Sequence, residues 1–144
     1  MKKNTDELLK ALKSKKEYED LGRFLKENED ALVTRSLAEH LASLMKEKGL
    51  TKSRVIRKSN LDKNYAYQLF NGIKTNPSRD KIIMLAFGMG LDVEQTARLL
   101  KVSRNAGLYV KDVRDSVILF CLNNSLSLID ANEYLSDLKL QIIE

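Results

Sequence analysis

The sequence predicts an all-α protein, and three observations support this fold class. Hydrophobic residues make up 43% and charged residues 31% of the 144 residues, with six glycines and one proline, which is typical of soluble helical chains. Apolar side chains recur at spacings of three and four residues, which places them on one face of a helix. Small polar residues able to cap a helix precede most of these segments. We therefore expect one helix after another along the chain.

Residues 1–35 are predicted to form an N-terminal helical extension with two short helices, near 5–13 and 17–28. Two pairs of residues match the capping box, in which a small polar side chain and an acid three residues later cap a helix reciprocally: Asn4 with Glu7, and Ser14 with Glu17. Each helix is expected to bury one apolar stripe. The stripe residues are Leu8, Leu9 and Leu12 in the first helix, then Tyr18, Leu21, Phe24 and Leu25 in the second.

Residues 36–103 are predicted to form a helical core. Ser36 with Glu39 begins a helix expected over 37–48. Gly49 ends that helix, because glycine readily adopts the left-handed conformation that follows a helix C-terminus.

Two short helices are predicted between residues 51 and 72. Thr51 caps the first helix, Asp62 caps the second, and Gly72 closes it. A tight turn over residues 59–61 connects them. Five apolar residues are expected to face a shared core, so that the two helices cross on one another: Val55, Ile56, Leu61, Ala66 and Leu69.

A further pair of helices completes the predicted core. Its first helix opens at Pro77 and Ser78, since proline is tolerated at a helix start, and it ends near Gly90. Asp92 with Gln95 forms the capping box of the second helix.

Residues 104–144 are predicted to form a C-terminal helical pair over 112–139, which resembles the pair before it. The stretch that begins Arg79-Asp80 aligns with the stretch that begins Arg114-Asp115 at a constant shift of 35 residues. Either a duplication or a chance likeness between two amphipathic hairpins would explain this similarity. The end of the chain is apolar, and it either forms a dimer contact or folds onto its own core: Leu135, Leu138, Leu140, Ile142 and Ile143.

The composition argues against an enzyme. Cys121 is the only cysteine, so no intrachain disulfide or multi-cysteine metal site can form, and its apolar neighbours predict a buried thiol. His40 is the only histidine and is interpreted as an ordinary helix residue. Helix capping and solvation explain the scattered acids Asp80, Asp115, Glu133 and Asp137, and neither a glycine-rich phosphate loop nor a nucleophile pattern accompanies them. We expect no catalytic residue, no cofactor and no metal.

The ends and the hydropathy of the chain predict a protein without membrane contact. No apolar run approaches the roughly 20 residues that span a bilayer. The first residues lack the apolar stretch of a signal peptide. We therefore expect a cytoplasmic location.

Positive charge is concentrated in the middle of the chain. Residues 36–90 carry ten basic and four acidic residues, a net charge of +6, whereas residues 1–35 carry +1 and residues 91–144 carry −2. A basic segment of this kind is typical of a surface that contacts phosphates.

The outward side chains of the two short helices suit DNA. The second helix offers donors and acceptors that could read base edges in a major groove: Lys63, Asn64, Tyr65, Tyr67, Gln68 and Asn71. The first helix offers cations for phosphates: Lys52, Arg54, Arg57 and Lys58. Arg79 is a further phosphate candidate.

The stretch from Leu50 to Gly72, followed by Pro-Ser and an apolar helix that ends in Gly-Leu-Asp-Val, resembles the phage-repressor and Cro-like helix-turn-helix family, often called the XRE family, over roughly residues 37–100. The resemblance implies a lambda-repressor-like core whose recognition helix, over 62–71, reads bases. It assigns base reading to Lys63, Asn64 and Tyr65, with Tyr67 and Gln68 on the following turn. It assigns contacts with the DNA backbone to Lys52, Asn71 and Lys74.

These observations together predict a sequence-specific transcriptional regulator of bacterial, phage or mobile-element origin that binds double-stranded DNA. One such module buries too little surface to select a genomic site, so we expect a homodimer on two half-sites about 34 Å apart. The alternative is a helical interaction module, adaptor or antitoxin-like, whose tyrosines bind a protein partner. RNA binding is a weaker alternative, because the chain shows no strand platform and no arginine-rich arm.

Overall fold

The structure is a computed structural model that describes residues 4–28 and 35–144. Over these ranges the protein is all-α, as predicted, with nine helices and no strand. The helices are α1 (Thr5–Lys13), α2 (Tyr18–Glu27), α3 (Leu37–Lys48), α4 (Lys52–Ser59), α5 (Lys63–Phe70), α6 (Arg79–Gly88), α7 (Val93–Val102), α8 (Val113–Asn123) and α9 (Leu128–Asp137). No helix in the described ranges is long and apolar enough to cross a membrane.

The chain divides into two compact units, Met1–Arg35 and Ser36–Glu144. The first unit contains α1 and α2, which contact each other. The capping box predicted at the start of α1 is confirmed, since the side chain of Asn4 accepts from the backbone N–H of Glu7 at 2.8 Å. The second predicted box is wrong. Because α1 continues to residue 13, Ser14 ends this helix and its hydroxyl donates to the carbonyl of Ala11, while Glu17 precedes α2 without a side-chain cap.

The predicted buried stripes of α1 and α2 are also wrong for most of their residues. No residue of α1 is buried, and Phe24 is the only buried residue of α2. Two short helices enclose little volume, so most of their apolar side chains keep contact with water. Leu9, Leu12, Tyr18, Leu21 and Leu25 are exposed.

The second unit begins with three helices whose N-cap residues are those predicted. The capping box predicted for Ser36 and Glu39 is only half formed, because the Glu39 carboxylate accepts from the Ser36 hydroxyl rather than from its backbone N–H. Ser36, Thr51 and Asp62 each accept a hydrogen bond from the backbone N–H three residues later. Asn60 ends α4 in the left-handed conformation, with φ at 54°, which asparagine tolerates better than most residues. The five apolar residues predicted to share a core around these helices are all buried.

Helices α6 and α7 provide the platform on which α3 and α4 pack, and α5 packs on α3. α4 lies against α6, α5 lies against α3, and α3 also contacts α7. Every residue of α6 from Ile82 to Gly88 is buried. The capping box of Asp92 and Gln95 at the start of α7 is confirmed. α6 is therefore the central helix of the unit.

The hairpin of α8 and α9 repeats the hairpin of α6 and α7 in structure. The bounds of α9 are those of α7 shifted by 35 residues. The backbone bonds that join the helices repeat with the same shift, so that Leu91 N–H donates to Ala86 as Leu126 N–H donates to Cys121. The shift also relates the left-handed residue Gly90 to Ser125. The similarity seen in the sequence is thus a repeat of the fold.

The two hairpins are joined by reciprocal ion pairs. Arg79 of the first hairpin makes two hydrogen bonds to Asp115 of the second, at 2.7 and 2.9 Å. Arg114 of the second hairpin makes two to Asp80 of the first, at 2.9 and 3.2 Å. The contact is self-complementary, since exchanging the two repeats exchanges the two ion pairs, as around a local two-fold axis.

The chain segments after α7 and α9 complete each ion pair in the same way. Arg79 also donates to the carbonyls of residues 106 and 107, and Arg114 donates to those of residues 141 and 142. The carboxylate of Asp115 accepts from the N–H of residue 109, and that of Asp80 from the N–H of residue 144. All of these partners obey the 35-residue shift.

The apolar end of the chain folds onto its own core. Leu135 and Ile143 are fully buried, and Leu140 and Ile142 are partly buried against the core. Ile143 is further held by Asn132, whose side-chain amide exchanges two hydrogen bonds with its backbone. Of the predicted tail residues only Leu138 is exposed.

Candidate nucleic-acid interface

Helix α5 has one exposed polar face. Ala66, Leu69 and Phe70 are buried, which turns the opposite side of the helix outward. The side chains on that side lie one turn apart, as residues at spacings of three and four do. Lys63, Asn64, Tyr67 and Asn71 are exposed there, and Gln68 is half-buried beside them. Four of the five residues predicted to read bases therefore share one face of a helix.

Tyr65, the fifth predicted base-reading residue, lies at the edge of this face. Its ring is partly buried against the core. Desolvation by burial raises the pKa of its hydroxyl. Nζ of Lys81 lies 6.0 Å from the centroid of the ring, within the range of a cation–π contact. Tyr65 thus packs as well as presenting a polar edge.

The residues assigned to the DNA backbone by the resemblance lie near the C-terminal end of α5. Nζ of Lys52 is 5.8 Å from the centroid of the Phe70 ring, so the start of α4 lies next to the end of α5. Asn71 accepts from the N–H of residue 73 through its side chain, and the backbone N–H of Lys74 donates to the carbonyl of Gln68. These bonds connect the segment after α5 to the end of that helix.

The other three cations of α4 occupy a different place. Arg54, Arg57 and Lys58 line a cavity with the end of α6 and the start of α9. Another side of α4 is buried in the core, and it consists of Val55, Ile56 and Ser59. The predicted phosphate residues of α4 are therefore divided between Lys52, beside α5, and the three that line the cavity.

Arg79 has an intramolecular role that the sequence did not indicate. All three of its guanidinium nitrogens donate hydrogen bonds within the protein, to Asp115 and to two backbone carbonyls. Its side chain is only 26% exposed. A phosphate contact would have to break this network, so we leave Arg79 outside the candidate interface.

Lys81 is a neighbour of the α5 face that sequence reasoning missed. It lies in the first turn of α6, three residues after Ser78, and only its position over Tyr65 relates it to α5. Its place in a basic segment was the available signal, but spacing along the chain could not show that α6 and α5 are adjacent.

The lone histidine and cysteine both lie in the core. His40 is buried on α3, and Cys121 is fully buried on α8, as predicted for the thiol. Desolvation, followed by the negative charge of Asp130, raises the pKa of the Cys121 thiol, so it stays protonated at neutral pH. Among the described residues, no group of three or more histidines, cysteines and acids is placed to hold a metal ion.

Comparisons with known proteins add no relative. No protein-family model, curated protein sequence or solved structure matches the chain.

Proposed function

We propose that this protein binds double-stranded DNA in a sequence-specific manner, with α4 and α5 acting as a helix-turn-helix and α5 as the recognition helix. The observation that carries the proposal is the exposed face of α5, which combines a lysine, two asparagines and a tyrosine on a helix anchored by its opposite side. A helix with its side chains is about 10–12 Å wide, which matches a major groove about 12 Å wide.

Base reading is assigned to the first two turns of α5. Lys63 and Asn64 are exposed at its start, and both can make bidentate or donor contacts to purine edges. Tyr67 and Gln68 lie one turn later, where a tyrosine ring can contact a thymine methyl. Each good bidentate contact contributes about 1–3 kcal/mol of discrimination between bases.

Affinity for the DNA backbone is assigned to the cations around α5. Lys52 lies beside its last turn and Lys74 is exposed in the segment that follows it. Each such contact releases condensed counterions, so binding should weaken steeply as salt rises. Lys81 lies beside Tyr65 and adds a third positive charge near the same face.

The proposal extends to a homodimer that acts as a transcriptional regulator of bacterial, phage or mobile-element origin. The apolar surface available for the dimer is the outer face of the second hairpin, defined by Val113, Phe120, Tyr134 and Leu138, all of them exposed. The rings of Phe120 and Tyr134 already stack edge to face, with centroids 6.3 Å apart.

The first test is selection of bound duplexes from a random DNA library, followed by titration of the selected duplex and of a scrambled one at two salt concentrations. A motif with two half-sites one helical turn apart and salt-sensitive affinity would support the proposal. Weak binding without any motif would overturn it and favour the protein-partner alternative, with Tyr65 and Tyr67 as the residues to examine.

Variants separate base reading from backbone contact. The double variant Lys63→Ala with Asn64→Ala should relax the selected preference and leave the fold intact. Lys52→Ala and Lys74→Ala should each weaken binding to every sequence and lower the salt slope by about 1. Lys111→Ala, an exposed lysine outside the candidate interface, is the matched control. An unchanged preference in the double variant would show that α5 is not the reading helix.

A further inference from the structure

A cavity of about 720 Å³ separates the outer side of α4 from the start of α9. The ends of α3 and α6 and the turn between α8 and α9 form the rest of its wall. Its volume falls within the roughly 300–1,000 Å³ of typical small-molecule sites. Because α9 belongs to the second hairpin, the cavity forms only where the second hairpin packs beside the first.

The floor of the cavity is apolar. Five of the lining side chains belong to the hydrophobic core and are almost completely buried: Phe87, Met89, Leu91, Leu122 and Leu128. Ile129 stands at the rim and is 73% exposed. An apolar ligand body would therefore contact an apolar floor and one exposed apolar side chain beside it.

The wall of the cavity is cationic. Lys48, Arg54, Arg57 and Lys58 all line it, and no aspartate or glutamate of residues 4–28 and 35–144 does. None of these four residues takes part in an ion pair within the described ranges. Like charges gathered on a concave surface repel one another, and an anion placed among them would relieve that repulsion.

The polar groups of the same wall are neutral. Ser125 and Ser127 belong to the turn before α9, and Asn132 lies one turn into this helix. Ser127 is occupied in capping α9, where it accepts from Asp130 N–H at 3.1 Å. Asn132 is likewise occupied by its two hydrogen bonds with the backbone of Ile143. Charge selection at this site thus falls to the four cations.

We propose that this cavity binds a small amphiphilic anion, with an apolar body on the core residues of the floor and a carboxylate or phosphate group held by Arg54 and Arg57. Arginine is suited to this role because its planar guanidinium binds either oxyanion with two parallel hydrogen bonds. A DNA strand would gain nothing from the apolar floor, which distinguishes this site from the face of α5. The proposal does not depend on DNA binding.

The test is a fluorescence titration of the full chain with anilinonaphthalene sulfonate, an apolar dye with one negative charge. N-phenylnaphthylamine, which has the same ring system without the sulfonate, is the neutral control probe. The wild-type chain should bind one anionic dye per chain and bind it at least about tenfold more tightly than the neutral one.

Two variants and a control locate the site. Arg54→Gln with Arg57→Gln should weaken binding of the anionic dye about tenfold and leave the neutral dye unchanged within about twofold. Ile129→Glu, which places an acid at the rim, should weaken the anionic dye more than the neutral one. Arg98→Gln with Lys101→Gln removes two exposed charges of α7 that do not line the cavity, and should change neither. Circular dichroism melting checks that each variant is folded.

Competition identifies the head group. Octanoate and octyl phosphate should displace the anionic dye, with the more effective one naming the preferred oxyanion, whereas octylamine should not. Equal affinity of the wild-type chain for the two dyes would overturn the proposal. The proposal would also be overturned if the control variant lost as much affinity for the anionic dye as the arginine double variant does, because that would show a general charge effect.

Discussion

Asp115 is the most deeply buried carboxylate among the residues that the structure describes. Its side chain is 8% exposed and accepts hydrogen bonds from two Arg79 nitrogens and from the N–H of Tyr109. Desolvation acts to raise its pKa, but the hydrogen bonds and the positive charges of Arg79 and Arg114 outweigh it, so the pKa lies below its ordinary value of 3.8. A carboxylate with a lowered pKa stabilises the fold only while it is ionised.

Replacing Asp115 should therefore have a pH-dependent cost. Asp115→Asn leaves Arg79 without its charged partner and should lower the free energy of unfolding by roughly 2–3 kcal/mol at about pH 7. Because the folded pKa is the lower one, the difference from wild type is fully present above about pH 4 and should shrink as the pH falls through the folded pKa.

Urea unfolding at several pH values between about 7 and 3 would measure this difference. Asp137→Asn, which changes an exposed acid of α9 that makes no ion pair with the part of the chain that the structure describes, is the control and should show almost no difference at any pH. A difference that grows on acidification would contradict the assignment of the ionised form.

Two helices of the core approach each other at a residue without a side chain. A Cβ atom built on Gly88 of α6 would lie 2.7 Å from the backbone oxygen of Val55 and 2.7 Å from Cβ of Ser59, both in α4. Backbone atoms cannot rotate away as a long side chain can, so any larger residue would force the helices apart. This contact sets the distance between α4 and the central helix.

Gly88→Ala should consequently destabilise the protein by about 1–3 kcal/mol. The sign is informative, because the same change in an uncrowded helix would stabilise it by about 1 kcal/mol. Gly107→Ala is the control, since a Cβ at Gly107 would meet no atom of the described residues within 4 Å, and it should change stability by less than about 0.5 kcal/mol. Urea denaturation compares the two, and a Gly88→Ala protein as stable as wild type would show that α4 shifts freely on α6.

The two hairpins of the second unit differ in the exposure of equivalent positions. The 35-residue shift relates Phe120 to Leu85 and Tyr134 to Leu99. Leu85 and Leu99 are fully buried in the first hairpin, where α3 and α4 pack, whereas Phe120 and Tyr134 are 56% and 45% exposed. At these two positions the second hairpin thus exposes an aromatic side chain where the first hairpin buries a leucine. This is the physical basis for placing the proposed dimer contact there.

Removing the two aromatic rings should break the proposed dimer. Phe120→Ser with Tyr134→Ser should raise the dimer dissociation constant by about thirtyfold or more, as loss of a central aromatic contact costs about 2 kcal/mol. Sedimentation equilibrium measures the constant, and Ile73→Ser, which removes another exposed apolar side chain, serves as control. A wild-type chain that stays monomeric, or a double variant that dimerises as before, would exclude this face as the contact.

Much of the fold could be predicted from the sequence, because local chemistry decides where helices begin and end. Capping residues, helical spacing and turn residues predicted α3 to α7 closely and the C-terminal pair in outline. They failed at Ser14, where the same residue type serves equally well to end one helix or to begin the next.

The candidate site was predictable to a lesser degree. The exposed face of α5 follows from which of its residues are apolar, so Lys63, Asn64 and Tyr67 could be selected in advance. Spacing could not show that Tyr65 packs against the core, that Arg79 turns inward, or that Lys81 approaches α5. Each of these depends on a partner far away in the chain.

The sequence by itself determined the helical fold class, the order of the helices, the inward side of each core helix and the concentration of positive charge, because these depend on residues a few positions apart. The tertiary structure decided which ends of the helices meet. Only the tertiary structure shows that each arginine of one hairpin pairs with the aspartate of the other, and that the apolar tail is buried. It also shows that the cations of α4 are divided between the α5 face and the cavity. Contacts between distant segments have no local signature, since they depend on how the whole chain closes around one core.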